Sequence, residues 1–278
     1  MITFDITSKE DKYQNKNNKL SLLISGDNFL FIVYSSILKK VYSLRDLSGI
    51  DINSTSGIYE LKSFIKTNGY NELNQLNIYT TTPEFGLTPM DFKDINANEV
   101  LDPITIKHYL DEYKVIQNPV SSFQLNCHFV FPEKLFDLFS NLFENVNLNH
   151  QITLLLNSLN ISQDTTSGFV ICNFSPGNIQ LISIKNNQLA IAKTYNLKSK
   201  DDMLYYILKM YHSSGLLPNI NPLILSGRIE KESVIYSELQ NYIKHINFAE
   251  IDIENNFSTD FIDSFQSHYF YDIYHSNQ

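Results

Sequence analysis

The sequence predicts a two-lobed α/β protein in which one β-β-β-α-β unit occurs twice. Three observations carry that expectation. Apolar segments rich in β-formers arrive in threes separated by turn signals, a stretch of helical period follows each triplet, and a fourth apolar segment follows each helix. A helix leading into a strand beside the meander implies a right-handed crossover and a parallel pairing. The 278 residues, 43% of them hydrophobic, suffice to bury the core of such a molecule.

Residues 1–19 read as a polar lead-in, loosely ordered over "SKEDKYQNKNNK". The first lobe is expected over 20–165. "LSLLIS" and "FLFIVYS" flank the turn signal "GDN", "ILKKVYSL" gives a third strand, and Ile58, Leu61 and Ile65 mark a helix that stops near Gly69. "LNIYTT" completes the unit. Before the second copy, "SSFQLNCHFVFP" reads as a strand, followed by helices over "PEKLFDLFSNLF" and "NHQITLLLNSLN". The second lobe is expected over 166–278. "GFVICNF", "NIQLISI" and "QLAIAKTYNL" are its strands, and Leu204, Ile207, Leu208 and Tyr211 share one face of its helix. "PLILSG" is its fourth strand, with a helix over "IEKESVIYSELQNYIKHI", a last strand "NFAEI" and an aromatic tail behind it.

Composition removes several function classes. A net charge of −9, from 21 basic and 30 acidic residues without a Lys/Arg run, argues against nucleic acid as a partner. Cys127 and Cys172 offer neither a disulfide framework nor a zinc pattern, so a reduced, cytoplasmic setting is expected. No stretch reaches the roughly 20 apolar residues of a membrane span. The 31 asparagines sit between periodic apolar segments and read as compositional drift rather than disorder. His268 and His275 could align on a helix but have no third metal ligand nearby, and Cys127 and His128, adjacent on a strand, point to opposite faces.

The segment order, together with "FVICNFSPGNIQLISI", resembles the actin-like ATPase superfamily of sugar kinases, chaperones and bacterial actins. That resemblance implies a duplicated ribonuclease-H-like unit with ATP between the lobes. The superfamily's second phosphate segment laid on this chain puts Asn173 on its aspartate, Ser175, Pro176 and Gly177 on its glycines, and Gln180 on its acid. Its adenosine segment resembles "PLILSGRIEKES", with Ser226 and Gly227 at the glycine pair. The first phosphate segment resembles "LLISGDNFLFIV", including Ser25 and Asn28, in layout only. More narrowly, "FDIT", "KLSLLISGDNFLFIVY", "LILSGRIEKES" and "HYFYDI" resemble a bacterial family of uncharacterised proteins with this fold.

The departures matter chemically. Mg²⁺ in phosphate sites is held by carboxylates, and Asn173 is neutral. Hairpin glycines bring backbone N–H groups to phosphate oxygens, and Pro176 has no N–H to give. The expectation is therefore a pseudo-ATPase with no catalytic residue, no metal and no required cofactor, acting through binding as an adaptor or assembly partner. The alternative is a nucleotide-binding switch or weak phosphotransferase using ATP and Mg²⁺ in a vestigial cleft of Ser25, Asn28, Asn173, Ser175, Gly177, Gln180, Ser226, Gly227 and Arg228, the last reaching a phosphate. A scaffold should tolerate Asn173→Asp almost unchanged. A ribonuclease-H-type nuclease is disfavoured because "LSLLIS" and "FVICNF" carry no carboxylate. Phe261, Phe265, Tyr269, Phe270 and Tyr271 either dock the tail onto its own domain or form a partner surface.

Overall fold

Two hairpins with two-residue turns set the architecture. In the first, β2 (Lys19–Ser25) and β3 (Asn28–Ser35) are joined by Gly26 and Asp27. In the second, β10 (Phe169–Ser175) and β11 (Asn178–Lys185) are joined by Pro176 and Gly177. Pro176 presets its φ and Gly177 takes a φ of 77°, the combination a type II turn requires. The computed structural model describes residues 5–8, 18–91, 100–101, 112–159, 168–261 and 264–274.

Each hairpin grows into a sheet of the same internal order. The first adds β4 (Lys40–Ser48), β5 (Gln75–Thr80) and β9 (Asn145–His150) in the order β4-β3-β2-β5-β9. The second adds β12 (Gln188–Asn196), β13 (Leu223–Gly227) and β14 (Ile246–Phe248) in the order β12-β11-β10-β13-β14. β5 and β9 extend the first sheet in parallel, as β13 and β14 extend the second. The helix between meander and crossover strand is α1 (Thr55–Thr67) in one unit and α4 (Lys200–Ser214) in the other. Both start on a serine N-cap, and α4 adds a full capping box between Ser199 and Asp202. The duplicated α/β unit expected from the sequence is thus present.

Several elements differ from the sequence expectation. Within the polar lead-in, Asp5–Thr7 forms a strand, β1, paired with β4 at the edge of the first sheet; of the stretch expected to be loosely ordered, residues 9–17 lie outside the described residues. The stretch between the units holds more β-structure than one strand. β6 (Phe85–Pro89), β7 (Tyr113–Val120) and β8 (Leu125–Pro132) form a separate three-stranded sheet, followed by α2 (Glu133–Ser140), then β9, then α3 (Gln151–Ser158). The helix expected over "IEKESVIYSELQNYIKHI" contracts to α5 (Val234–Gln240), capped by Ser233.

Strand alternation decides how the lobes pack. On β3, Phe29, Phe31 and Val33 enter the main core, while Leu30 and Ile32 point to the opposite face. The main core includes Leu61 and Ile65 of α1, Ile152, Leu155 and Leu156 of α3, and also Phe169, Ile171, Ile182 and Ile184 of the second sheet. The lobes therefore share a core. The far face of the second sheet packs Val170, Cys172 and Leu181 against Ile207, Met210 and Tyr211 of α4.

The aromatic tail covers the remaining face of the first sheet. It contains two short helical turns, α6 (Ile253–Asn256) and α7 (Tyr271–Tyr274), with 3₁₀ turns between them. Phe257, Phe261, Tyr269 and Phe270 bury Leu23, Leu30, Ile32, Val41 and Leu44. Of the two readings of the tail, docking and a partner surface, the burial of its rings agrees with docking. Phe261, Tyr269 and Phe270 are interior, Phe265 and Tyr271 are partly buried against them, and the tail docks across the first lobe while also holding its own, where the Tyr269 hydroxyl donates to Glu230 Oε1 at 3.0 Å and the His268 ring packs on Phe248. The physical reason is that β2, β3 and β4 alternate apolar residues onto both faces, and the outer face needs a cover.

Candidate functional site

The two hairpin turns meet across the cleft between the lobes, and side chains fill the space between them. Asn178, the residue after the second turn, donates from Nδ2 to Ser25 Oγ at 2.8 Å and to Thr81 Oγ1 at 2.7 Å. Ser25 Oγ in turn donates to the carbonyl oxygen of Pro176 at 2.7 Å. Thr81 follows β5 directly, and its backbone N–H continues the sheet to Ile24 O. Ser25, Thr81 and Asn178 are buried, and Pro176 is half-buried.

Behind the bridge the network continues into the second lobe. Gln180 donates through Nε2 to Asn178 Oδ1, and its Oε1 accepts from Asn173 Nδ2 at 2.8 Å and from Ser175 Oγ at 3.3 Å. Asn173 Oδ1 accepts from Ser226 Oγ at 2.8 Å. On the first-lobe side Gln151, the first residue of α3, reaches Ser175 through Oε1 and Asp272 of α7 through Nε2. Asp272 Oδ2 also lies 3.4 Å from Asn173 Nδ2. Buried amides and hydroxyls of this kind are tolerated because each finds a partner.

The sequence-predicted residues therefore separate into groups. Asn173, Ser175, Gln180 and Ser226 are brought together as acceptors and donors to one another, and Ser25 joins them only through Asn178. Asn28 stays local, donating to Asp27 Oδ1 at 2.8 Å. Gly177 holds the turn. Gly227, at φ 79°, is where β13 passes so close to β10 that a Cβ would overlap the carbonyl oxygen of Phe174, and that oxygen accepts from Arg228 N at 2.9 Å. Arg228 does not point at a phosphate position: its Nη1 sits 2.7 Å from Asp46 Oδ2 on β4, across the lobe boundary, with the Asp46 side chain 1% exposed.

Asn178, Thr81, Gln151 and Asp272 were not singled out by the sequence reading. A signal for Asn178 existed. The hairpins read Ser25-Gly26-Asp27-Asn28 and Ser175-Pro176-Gly177-Asn178, and in both the Ser and Asn are the last cross-strand pair before the turn. The repeat marks both asparagines as turn-flanking polar side chains, though only Asn178 crosses the cleft.

These residues do not fit Mg²⁺ and ATP phosphates. A phosphate seat needs free backbone N–H groups at the turns, and a metal needs a carboxylate facing them. Here Pro176 presents a carbonyl already accepting from Ser25, Asn173 has spent its amide on Gln180, and Asp272 accepts from side-chain amides. No group of three or more His, Cys, Asp or Glu is placed to hold a metal among the described residues. His268 is buried with its Nε2 2.6 Å from Ile229 O, and His275 lies outside the described residues. Burial raises the thiol pKa values of Cys127 and Cys172, which keeps both as unreactive core residues.

His150 joins the first sheet, α3 and the three-stranded sheet. Its Nδ1 accepts from Ile152 N at 3.1 Å, so its Nε2 carries the proton donated to Thr82 O at 2.8 Å, and Phe85 and Phe129 flank the ring. Burial pushes its pKa from 6.5 down to about 4, with the Thr82 carbonyl opposing. A folded pKa below the unfolded one means that the unfolded chain takes up the proton first as pH falls. Stability should therefore drop by about 3 kcal/mol between pH 7 and pH 4 through this residue. Urea unfolding at both pH values, on wild type and His150→Gln, should show a smaller acid loss in the variant; equal losses would remove His150 as the cause.

With this geometry in place the chain can be set beside known proteins. A family model described as protein of unknown function (DUF3822) matches residues 7–246. The chain belongs to this family. No relative is found among curated proteins. A Bacteroides thetaiotaomicron protein of actin-like ATPase fold and unknown function superposes on this DUF3822 chain with a TM-score of 0.72 at 17% identity, over 87% of this chain and 94% of that one. A structure of the PilM-PilN type IV pilus biogenesis complex is also similar, with a TM-score of 0.57 at 11% identity, over 94% and 98% of the two chains. At these identities the likeness establishes the fold, and that fold is the actin-like ATPase fold. No helix among the described residues is long and apolar enough to cross a membrane.

Proposed function

We propose that this DUF3822 protein is a non-catalytic member of the actin-like fold that acts in the cytoplasm through binding, as an adaptor or assembly partner. The observation that carries the reading is the Asn178–Ser25–Thr81 bridge, which joins the hairpin turns where a nucleotide's phosphates would have to enter. To admit them the protein would have to break several buried hydrogen bonds, each costing about 1 kcal/mol net and more where a donor is stranded. The bridge instead fixes the lobes in one relation, which suits a rigid binding platform better than a nucleotide-driven hinge. The PilM neighbour, solved as a complex with another protein, is consistent with that role for this fold.

Calorimetry with ATP and ADP, with and without Mg²⁺, tests the reading. No heat of binding is expected at nucleotide concentrations up to about 1 mM, so any affinity is weaker than about −4 kcal/mol. Binding near 10 μM that Mg²⁺ strengthens, about −7 kcal/mol, would overturn it in favour of a nucleotide switch.

A further inference from the structure

We propose that the part of the interlobe cleft left open binds a small organic cation, a primary ammonium on a short apolar body. The inference stands apart from the partner-binding reading, since it concerns a different occupant and a different surface.

A cavity of ≈ 250 Å³ lies beside the Asn178 bridge, at the carboxyl ends of β2 and β5, where open α/β sheets hold their ligands. Three parts of the molecule contribute to it. Ile24, Ile52, Phe131 and Leu135 form an apolar wall from the first lobe and the three-stranded sheet with its helix. Thr80 and Glu84 come from the end of β5 and the segment after it, and Asn196 comes from the second lobe. An apolar wall with a few convergent polar groups is the usual composition of a small-molecule site, and the volume falls just below the roughly 300 Å³ at which drug-sized ligands begin.

The polar groups select the charge. Glu84 Oε2 accepts from Thr82 Oγ1 at 2.5 Å, and the Thr82 hydroxyl also accepts from Glu84 N, which fixes the carboxylate at the cavity. Glu84 Oε1, the Thr80 hydroxyl and the Asn196 amide have no hydrogen-bond partner among the described residues. Glu84 is also the one charged residue of the lining among the described residues, with no Lys or Arg beside it. An anion would meet an unopposed carboxylate there. An ammonium brings three donors and a positive charge to a site offering three acceptors and a negative one.

The test titrates the intact protein, labelled at isoleucine methyl groups, with butylammonium, butanol, butyrate and inorganic phosphate. Butylammonium should shift the Ile24 and Ile52 methyl resonances with a Kd of about 1 mM or tighter, while butyrate and phosphate should leave them in place. Butanol should bind at least 10-fold more weakly, about 1.4 kcal/mol, and Glu84→Gln should weaken butylammonium by a similar factor. Glutamine keeps an acceptor for Thr82, so the variant should fold. The proposal is overturned if butylammonium produces no shift at about 10 mM, if butanol binds equally well, or if Glu84→Gln binds like wild type. Should that variant not fold, the ammonium-versus-alcohol comparison on wild type decides alone.

Discussion

Asn173→Asp should destabilise the protein by about 3 kcal/mol at neutral pH and create no affinity for nucleotide. The sequence alone suggests the opposite, that a scaffold would accept this change quietly. The difference lies in what surrounds residue 173, which is fully buried. Its Nδ2 donates to Gln180 Oε1 and lies 3.4 Å from Asp272 Oδ2. A carboxylate there would face an amide oxygen and a second carboxylate instead. Two unit charges at that separation repel by about 5 kcal/mol at an effective dielectric near 20, so the pair would relieve itself by holding one shared proton. The folded pKa of one carboxyl is then raised above its unfolded value, and the variant should recover stability as pH falls through that raised pKa. That trend runs opposite to the acid loss expected from His150. Urea titrations at pH 7 and pH 5 measure both signs, and a repeat with ATP and Mg²⁺ completes the test. A variant as stable as wild type at pH 7 would remove the repulsion between residues 173 and 272, and one that ATP and Mg²⁺ stabilise would show a latent metal site at position 173.

Much of the fold was legible because its signals are local. The meanders, the crossover helices and the fourth strands each carry a period and a turn within one window of sequence. β9 was not legible for the same reason in reverse. Its "NVNLNH" alternates asparagine with single apolar residues, and only pairing beside β5 makes it a strand. β7, "YKVIQNPV", depends in the same way on β8. The tail's aromatic density was visible, but its docking place was not, because the outer face of β2, β3 and β4 becomes a surface only once the strands are registered. At the site, local alignment with a phosphate loop identified Asn173 and Gln180. It could not reveal that Asn178 reaches the other hairpin, since a side chain's partner across 153 positions of sequence is a tertiary fact. Asp272 illustrates this further. A carboxylate does stand near Asn173, but it arrives from the end of the chain.

Arg228→Ala should cost about 3–5 kcal/mol, because it strands a buried charge. The sequence offered Arg228 as a cation that could reach a phosphate. In the folded chain its guanidinium is 13% exposed and holds Asp46, whose Oδ1 already lacks a partner among the described residues. Removing the arginine leaves that carboxylate uncompensated in the shared interior of the two lobes. Removing both charges should be far milder, since well-packed apolar side chains of similar size often replace a buried pair without loss. The double variant Asp46→Leu with Arg228→Met should therefore regain most of the stability lost in Arg228→Ala, and a double-mutant cycle reads the coupling directly. Arg228 follows β13 in the second lobe, while Asp46 lies on β4 in the first, paired with Leu30 of the cleft hairpin. If the pair holds the lobes together, hydrogen exchange in Arg228→Ala should quicken in β4 and in residues 227–228 more than in α4, which packs on β10, β11 and β12 of its own lobe. Uniform acceleration throughout would mean that the pair contributes to global stability alone. A cost below about 1 kcal/mol would place it with ordinary surface ion pairs despite its burial.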